Sequence, residues 1–277
     1  MKHTRAMRGQ QGFSLIEMMI AAVIFVLLCG AAFALLSLAQ QRYQTESQVL
    51  NSFQEARFAL DDMVRDVNGS GYPPQNSFTW SWSLHPDAYA STPVAWSQSA
   101  GYPGTACLIG TGGGGTCASS SGALSTPGDF DLIVERKVDP SQPIVQWTRY
   151  QLQNNVLSRG QAQKTNNGDP DGSTANTFVP YVQNVMNNAS PAQIAKFQAI
   201  YPQMFPGGNP VPIFTYICAT PSGPQACPMA GTSNSPVNVT DVEITLIVMA
   251  PTVDAQTGAP RLIELHGRGH SLNPIVQ

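Results

Sequence analysis

Between Met18 and Ala39 the chain carries no charged residue, and nearly every side chain is apolar. These 22 residues make about 33 Å of helix, enough to cross a bilayer core of about 30 Å. Lys2, Arg5 and Arg8 precede the run, so the positive-inside tendency keeps the first residues cytoplasmic and exports the remainder of the chain. Three plain readings of such a segment exist. A secretory signal has a shorter apolar region of about 7–15 residues, although Ala32-Phe33-Ala34 reads as a cleavage site. A lipoprotein signal is hinted at by Leu27-Leu28-Cys29-Gly30, but Leu28 stands where a small residue is expected. The third is a simple membrane anchor.

Glu17 fits none of the three. A carboxylate at the edge of a membrane span costs up to about 2.5–3.5 kcal/mol if it is driven to the centre. An anchor has no use for it, so a charged partner is expected.

The helix is expected to run on past the membrane. Val49, Phe53, Ala56, Leu60, Met63 and Val67 recur at helical spacing and form one apolar face. Glu46, Glu55, Asp61, Asp62 and Arg65 occupy the opposite face, with Asp61 and Arg65 set to pair at i,i+4. Asn68-Gly69 and then Pro73-Pro74 stop the helix. Phe13 to Asn68 would be 56 residues, about 84 Å of helix. No proline interrupts its membrane half, where Gly30 is the one weak point.

Beyond the helix the pattern turns to strands. Phe130, Leu132 and Val134 alternate with Asp129, Asp131, Ile133 and Glu135. Val145 to Leu152 runs through Asn154-Asn155 into Val156-Leu157, a hairpin whose turn residues tolerate positive φ. Val211 to Cys218 and Val237 to Met249 are further strands, and Arg261 to His266 closes the sheet. Residues 75–128 and 160–210 are long stretches rich in Gly, Pro, Ser, Asn and Gln, with a short helix at Pro191 to Ile200. The expected class is α+β: one long N-terminal helix packed on an antiparallel sheet with long loops. The expected divisions are 1–12, 13–39, 40–69 and 70–277.

Charge and cysteine content narrow the function. Without residues 1–12 the chain holds 11 basic and 17 acidic residues, a net charge of −6. That balance disfavours nucleic acid as a partner. Cys107/Cys117 and Cys218/Cys227 form two close pairs, which in an exported body read as disulfides. Four cysteines allow three connectivities, of which the sequence-adjacent one is expected. Zinc would need tighter spacing.

No enzyme site emerges. Gly110-Thr111-Gly112-Gly113-Gly114-Gly115 formally contains a nucleotide-loop pattern, but it lies inside the Cys107–Cys117 loop without a strand-then-helix context. His266 and His270 are four apart, and Gly267 and Gly269 argue against a helix that would join them in a metal site. Asn167, Asp169 and Asp171 match the opening of a calcium loop, but Phe178 stands where its closing acid belongs. A turn rich in Asn and Asp is the default there, calcium the alternative, and no other cofactor is expected.

Gly12-Phe13-Ser14-Leu15-Ile16-Glu17, between a short basic leader and an unbroken apolar helix, resembles the signal of type IV prepilins and type II secretion pseudopilins. The resemblance implies a pilin-like fold and cleavage by prepilin peptidase between Gly12 and Phe13, with methylation of the new Phe13 amine. It gives Glu17, one turn away, a role in filament assembly. A buried charge pair that sets register is the physical counterpart of that role. Ala56-Arg57-Phe58-Ala59-Leu60 through Gly71-Tyr72 resembles the PilW-type minor pilins, as does Tyr150-Gln151-Leu152 with Leu157-Ser158-Arg159. So does the pairing of Phe214-Thr215-Tyr216 with the Val242–Val248 strand. The J-type pseudopilin of type II secretion shares part of the pattern. Implied partners are other pilin subunits, prepilin peptidase, an inner-membrane assembly platform and membrane lipid. The implied location is the inner membrane with a periplasmic body, then a surface pilus.

Overall fold

The computed structural model describes residues 14–74, 87–90, 93–95, 129–139, 144–165, 174, 176–219, 222–226, 239–253 and 258–271. The chain divides into two units, residues 1–48 and 49–277. Helix α1 spans Leu15–Asn68 and contributes to both.

In the first unit every residue from Leu15 to Gln44 is exposed. In the second, α1 buries Val49, Ala56, Ala59, Leu60, Met63, Asp66 and Val67. This is the expected apolar stripe with three differences. Phe53 is only half-buried, and Ala59 and a carboxylate, Asp66, join the buried face. The expected Asp61–Arg65 pair gives way to Asp62–Arg65 at 3.6 Å. Asp62 also accepts from the Tyr181 hydroxyl at 2.5 Å. After Asn68 the amides of Gly69 and Ser70 donate to Arg65 O and Val67 O, and Gly71 takes φ 77°. The helix therefore ends in a tightened last turn, and the chain turns away just beyond it at Gly71, where glycine permits left-handed backbone.

Among the described residues, nine strands form two antiparallel sheets where one was expected. The first has the order β1 (Val94–Ala95), β2 (Asp131–Arg136), β3 (Gln146–Gln153), β4 (Val156–Gln163), β5 (Val179–Val182). Gln153 pairs with Val156, and Asn154 and Asn155 between them take φ 49° and 64°. That two-residue turn matches the twist of the hairpin. The second sheet runs β7 (Gln225–Ala226), β6 (Phe214–Cys218), β8 (Val239–Val253), β9 (Pro260–His270). The sheets meet where Ile213 N and Phe214 N donate to Asp129 O and the Tyr216 hydroxyl reaches Asp131 O at 3.0 Å.

One apolar core joins α1 to both sheets and includes Leu60, Met63, Tyr150, Leu157, Tyr216 and Leu246. On β9, glycines let the helix come close. A Cβ at Gly269 would lie 2.5 Å from Val67 Cβ, and one at Gly267 would lie 2.8 Å from Leu60 Cδ1. A smaller core covers the other face of the second sheet, where Ile194, Phe197 and Phe205 pack on Ile247 and Leu262. Its helix, α2 (Pro191–Gln198), starts with a Ser190–Gln193 capping box.

The outer face of the first sheet is also covered, so the Asp131/Glu135 side of β2 is not the solvent face its alternation suggested. Arg149 pairs with Asp131 at 2.6 Å, and Trp147 Nε1 donates to Glu135 at 2.7 Å. Lys164 Nζ lies 3.2 Å from Glu135 and donates to Tyr89 O at 3.0 Å. Burial lowers the Lys164 amine below its ordinary pKa, against the pull of the Glu135 charge. Parts of both long polar stretches supply the cover. Tyr89 lies under Lys164, Phe178 lies under Arg149, and Gly160 leaves room for Thr174 O and the Phe178 ring.

The last turn of α1 is fixed by Asp66. Its carboxylate takes the Tyr150 hydroxyl at 2.7 Å, the Arg159 guanidinium at 3.1 Å, and an ion pair with Arg136. Burial first, and the Asp66 charge second, raise the Tyr150 pKa far above its ordinary value. The Asp66→Ala variant leaves two half-buried guanidinium groups without their anion. Denaturant unfolding of the full chain in detergent, read by tryptophan fluorescence, should show a loss of about 3–5 kcal/mol. Asp61→Ala, on the exposed side of the same helix, should change stability by no more than about 0.5 kcal/mol.

Candidate functional site

Ser14 stands immediately before α1 and Glu17 lies in its first turn. The Glu17 N–H donates to Ser14 Oγ at 3.3 Å, and the Ser14 N–H donates to Glu17 Oε2 at 3.0 Å. This reciprocal pair is a capping box, the pattern S-x-x-E at a helix start. A carboxylate expected to need a charged partner thus finds a donor in its own backbone. It also lies at the positive end of the helix dipole, where an anion is favoured.

Beyond it, α1 is the one helix among the described residues long and apolar enough to cross a membrane. Its apolar side chains have no protein cover, so an aqueous surrounding would leave the whole run hydrated at a cost. Cys29 lies exposed within it as a free thiol.

Few of the other expected site residues fall within the described part of the chain. Gly12, Phe13, Cys107, Cys117, Cys227, Asn167, Asp169 and Asp171 lie outside it, as does the glycine run 110–115. Cys218, buried at the end of β6, is disulfide-bonded.

His266 and His270 sit on the solvent face of β9 and go to different partners. His266 contacts Thr245 Oγ1 at 3.2 Å and Glu264 at 3.5 Å, whereas His270 Nδ1 is 3.0 Å from Asp241 Oδ1. Glu243, Thr245, His266 and Arg268 line an open groove of about 440 Å³ on this face. Among the described residues no group of three or more His, Cys, Asp or Glu is placed to hold a metal ion.

Residues 7–33 match the family described as the prokaryotic N-terminal methylation motif. No curated protein and no solved structure matches the chain. The motif and the long apolar helix support a type IV pilin-like or pseudopilin protein, anchored in a membrane through its N-terminus. Proteins with this motif are structural rather than enzymatic.

Besides Asp66 and the Asp131/Glu135 cluster, two polar centres were missed by sequence reasoning. Ser14 was legible in S-x-x-E but overshadowed by the membrane carboxylate. Asp241 had no local signal, because Arg268 and His270 reach it from the neighbouring strand, at 3.0 Å each. Burial pushes the Asp241 pKa up, but hydrogen bonds from Arg268, Thr240 and His270 outweigh it and hold the group below its ordinary value. A depressed carboxylate contributes stability above its unfolded pKa of about 3.9 and loses it as pH falls through the folded value. Unfolding curves of the full chain between about pH 6 and pH 2 should therefore show Asp241→Asn less stable than wild type at the upper end. The gap should close toward the lower end.

Proposed function

We propose that the chain is a minor pilin of a type IV pilus. Prepilin peptidase cleaves it between Gly12 and Phe13, the Phe13 amine is methylated, and Glu17 neutralises that amine as the subunit enters the filament. The observation that carries this reading is the methylation motif over residues 7–33, running directly into α1 with its carboxylate in the first turn. Prepilin peptidase, an inner-membrane assembly platform, membrane lipid and other pilin subunits are the partners. The body stands in the periplasm before assembly and at the cell surface afterwards.

The body supports a low-copy position at the filament tip or in the priming complex. It carries a second small core around α2 and long polar connections, bulk that suits a terminal place better than repeated stacking. From that place it serves adhesion, motility or DNA uptake. Its disulfides are the sequence-adjacent pairs Cys218–Cys227 and Cys107–Cys117, a reading supported by the short spacing within each pair. The same N-terminal motif supports a pseudopilin of type II secretion as the second reading.

Mass spectrometry of the mature N-terminus, on membranes and on sheared filaments, tests the proposal. The expected chain begins at Phe13 with one added methyl group and occurs in both fractions. A methylated chain found in membranes but never in surface filaments favours the secretion reading. A chain that begins at Met1, near Ala34 or at a lipidated Cys29 overturns both.

A further inference from the structure

We infer that the buried side chains of Lys164 and Glu135 join as an amide, a covalent cross-link between β2 and the chain just after β4. The inference goes beyond the reading above and stands or falls independently of how the N-terminus is processed.

Burial sets up the reaction. The Lys164 side chain is 0% exposed and the Glu135 side chain 3% exposed. A buried ion pair recovers its desolvation cost only when its geometry and its other hydrogen bonds are excellent. Moving one proton from the ammonium to the carboxylate removes both charges, and burial favours that neutral pair. A desolvated neutral amine beside a carboxylic acid is a nucleophile beside an electrophile. In water the same two groups stay ionised, and the surrounding water opposes the release of one more. Here the Tyr89 ring, centred 5.1 Å from Nζ, covers the amine. Two groups held in contact this way react at an effective concentration far above that of any free reactant.

The polar contacts give each atom a part. Lys164 Nζ lies 3.2 Å from Glu135 Oε2 and donates to Tyr89 O at 3.0 Å, which holds the amine in place. Trp147 Nε1 donates to the other oxygen, Glu135 Oε1, at 2.7 Å. As Nζ attacks Cδ, negative charge builds on Oε1, where the Trp147 donor is already aimed. The bond from Nζ to Cδ forms and the bond from Cδ to Oε2 breaks. Oε2 leaves as water with the carboxyl proton and one proton from nitrogen, while Oε1 stays as the amide carbonyl. One ammonium and one carboxylate thus become one amide and one water, with no oxidant or reductant.

The link closes a covalent ring that contains β3 and β4. A cross-link of this kind restricts the unfolded chain, as a disulfide does, but no reductant opens it.

The test is tryptic digestion and tandem mass spectrometry of the full chain, purified from membranes in detergent. The chain is reduced and alkylated first, so that no disulfide joins two peptides. Trypsin cuts after Lys and Arg, and an amide at Lys164 blocks the cut there. The expected product is peptide 66–136 joined to peptide 160–196, lighter than their sum by one water. Fragment ions should place the junction at Glu135 and Lys164. Lys164→Arg keeps a positive charge without a reactive amine and should give no joined product. Complete release of peptide 160–164 from the wild-type chain shows an ion pair alone and overturns the inference. That outcome is read on the wild type, so it decides the matter even where Lys164→Arg does not fold. A joined product that persists in Lys164→Arg also overturns it, because a different residue would then supply the nitrogen.

Discussion

Three consecutive strands reach one carboxylate on α1, and the place of the first sheet depends on that convergence. Arg136 ends β2, Tyr150 lies in β3 and Arg159 in β4, and all three donate to Asp66. Apolar packing alone would tolerate a helix that slid or rotated by a few degrees on the sheet. A buried anion with three donors does not, because each displaced donor would be left desolvated without its acceptor. The Tyr150 and Tyr181 rings beside the Arg159 guanidinium, each 5.7 Å away, keep water from relieving such a displacement. The second sheet is fixed by different means. There the glycines of β9 bring backbone against Leu60, Val64 and Val67, and the His270 N–H donates to Asn68 Oδ1 at 2.8 Å.

The same helix thus meets two solvents under two sets of rules. Up to about Gln44 its side chains are exposed and almost all apolar as far as Ala39, which suits lipid and needs only that backbone and Glu17 be satisfied within the chain. From Val49 on, it is one-sided, and small residues such as Ala56 and Ala59 alternate with larger ones on the buried face. Neither half carries the other's chemistry. The carboxylate near the start is capped by its own turn, while the carboxylate near the end is held by distant strands.

This contrast also explains what could be read from the sequence. The ends of α1, the Asn154-Asn155 turn and the positions of the main strands are local properties, set by periodicity and by residues that accept positive φ. The S-x-x-E box is local as well. Asp66, by contrast, sits next to the apolar stripe and reads as one more solvated acid. Only distant partners, Arg136, Tyr150 and Arg159 on three strands, bury it. Asp131 and Glu135 look like a wet face because the segments that cover them, around Tyr89 and Phe178, lie in stretches of polar composition. The division into two sheets was hidden for the same reason. Which edge a strand pairs with depends on contacts such as Tyr216 to Asp131 that no window of sequence contains.

Within residues 49–277, a pull along α1 acts on its attachments to the two sheets. The attachments that resist it are concentrated in the last turns, at Asp66, Asn68 and the tight contacts of Leu60 and Val67 with β9. Ion pairs of this kind are weak evidence for stability when compared with a well-packed apolar core. They are well suited to a different task, because they resist displacement in direction and register where apolar contacts slide. The body would keep most of its folding energy if Asp66 and its donors were replaced together by apolar groups of the same shape. What it would give up is a single fixed orientation of α1 on the first sheet.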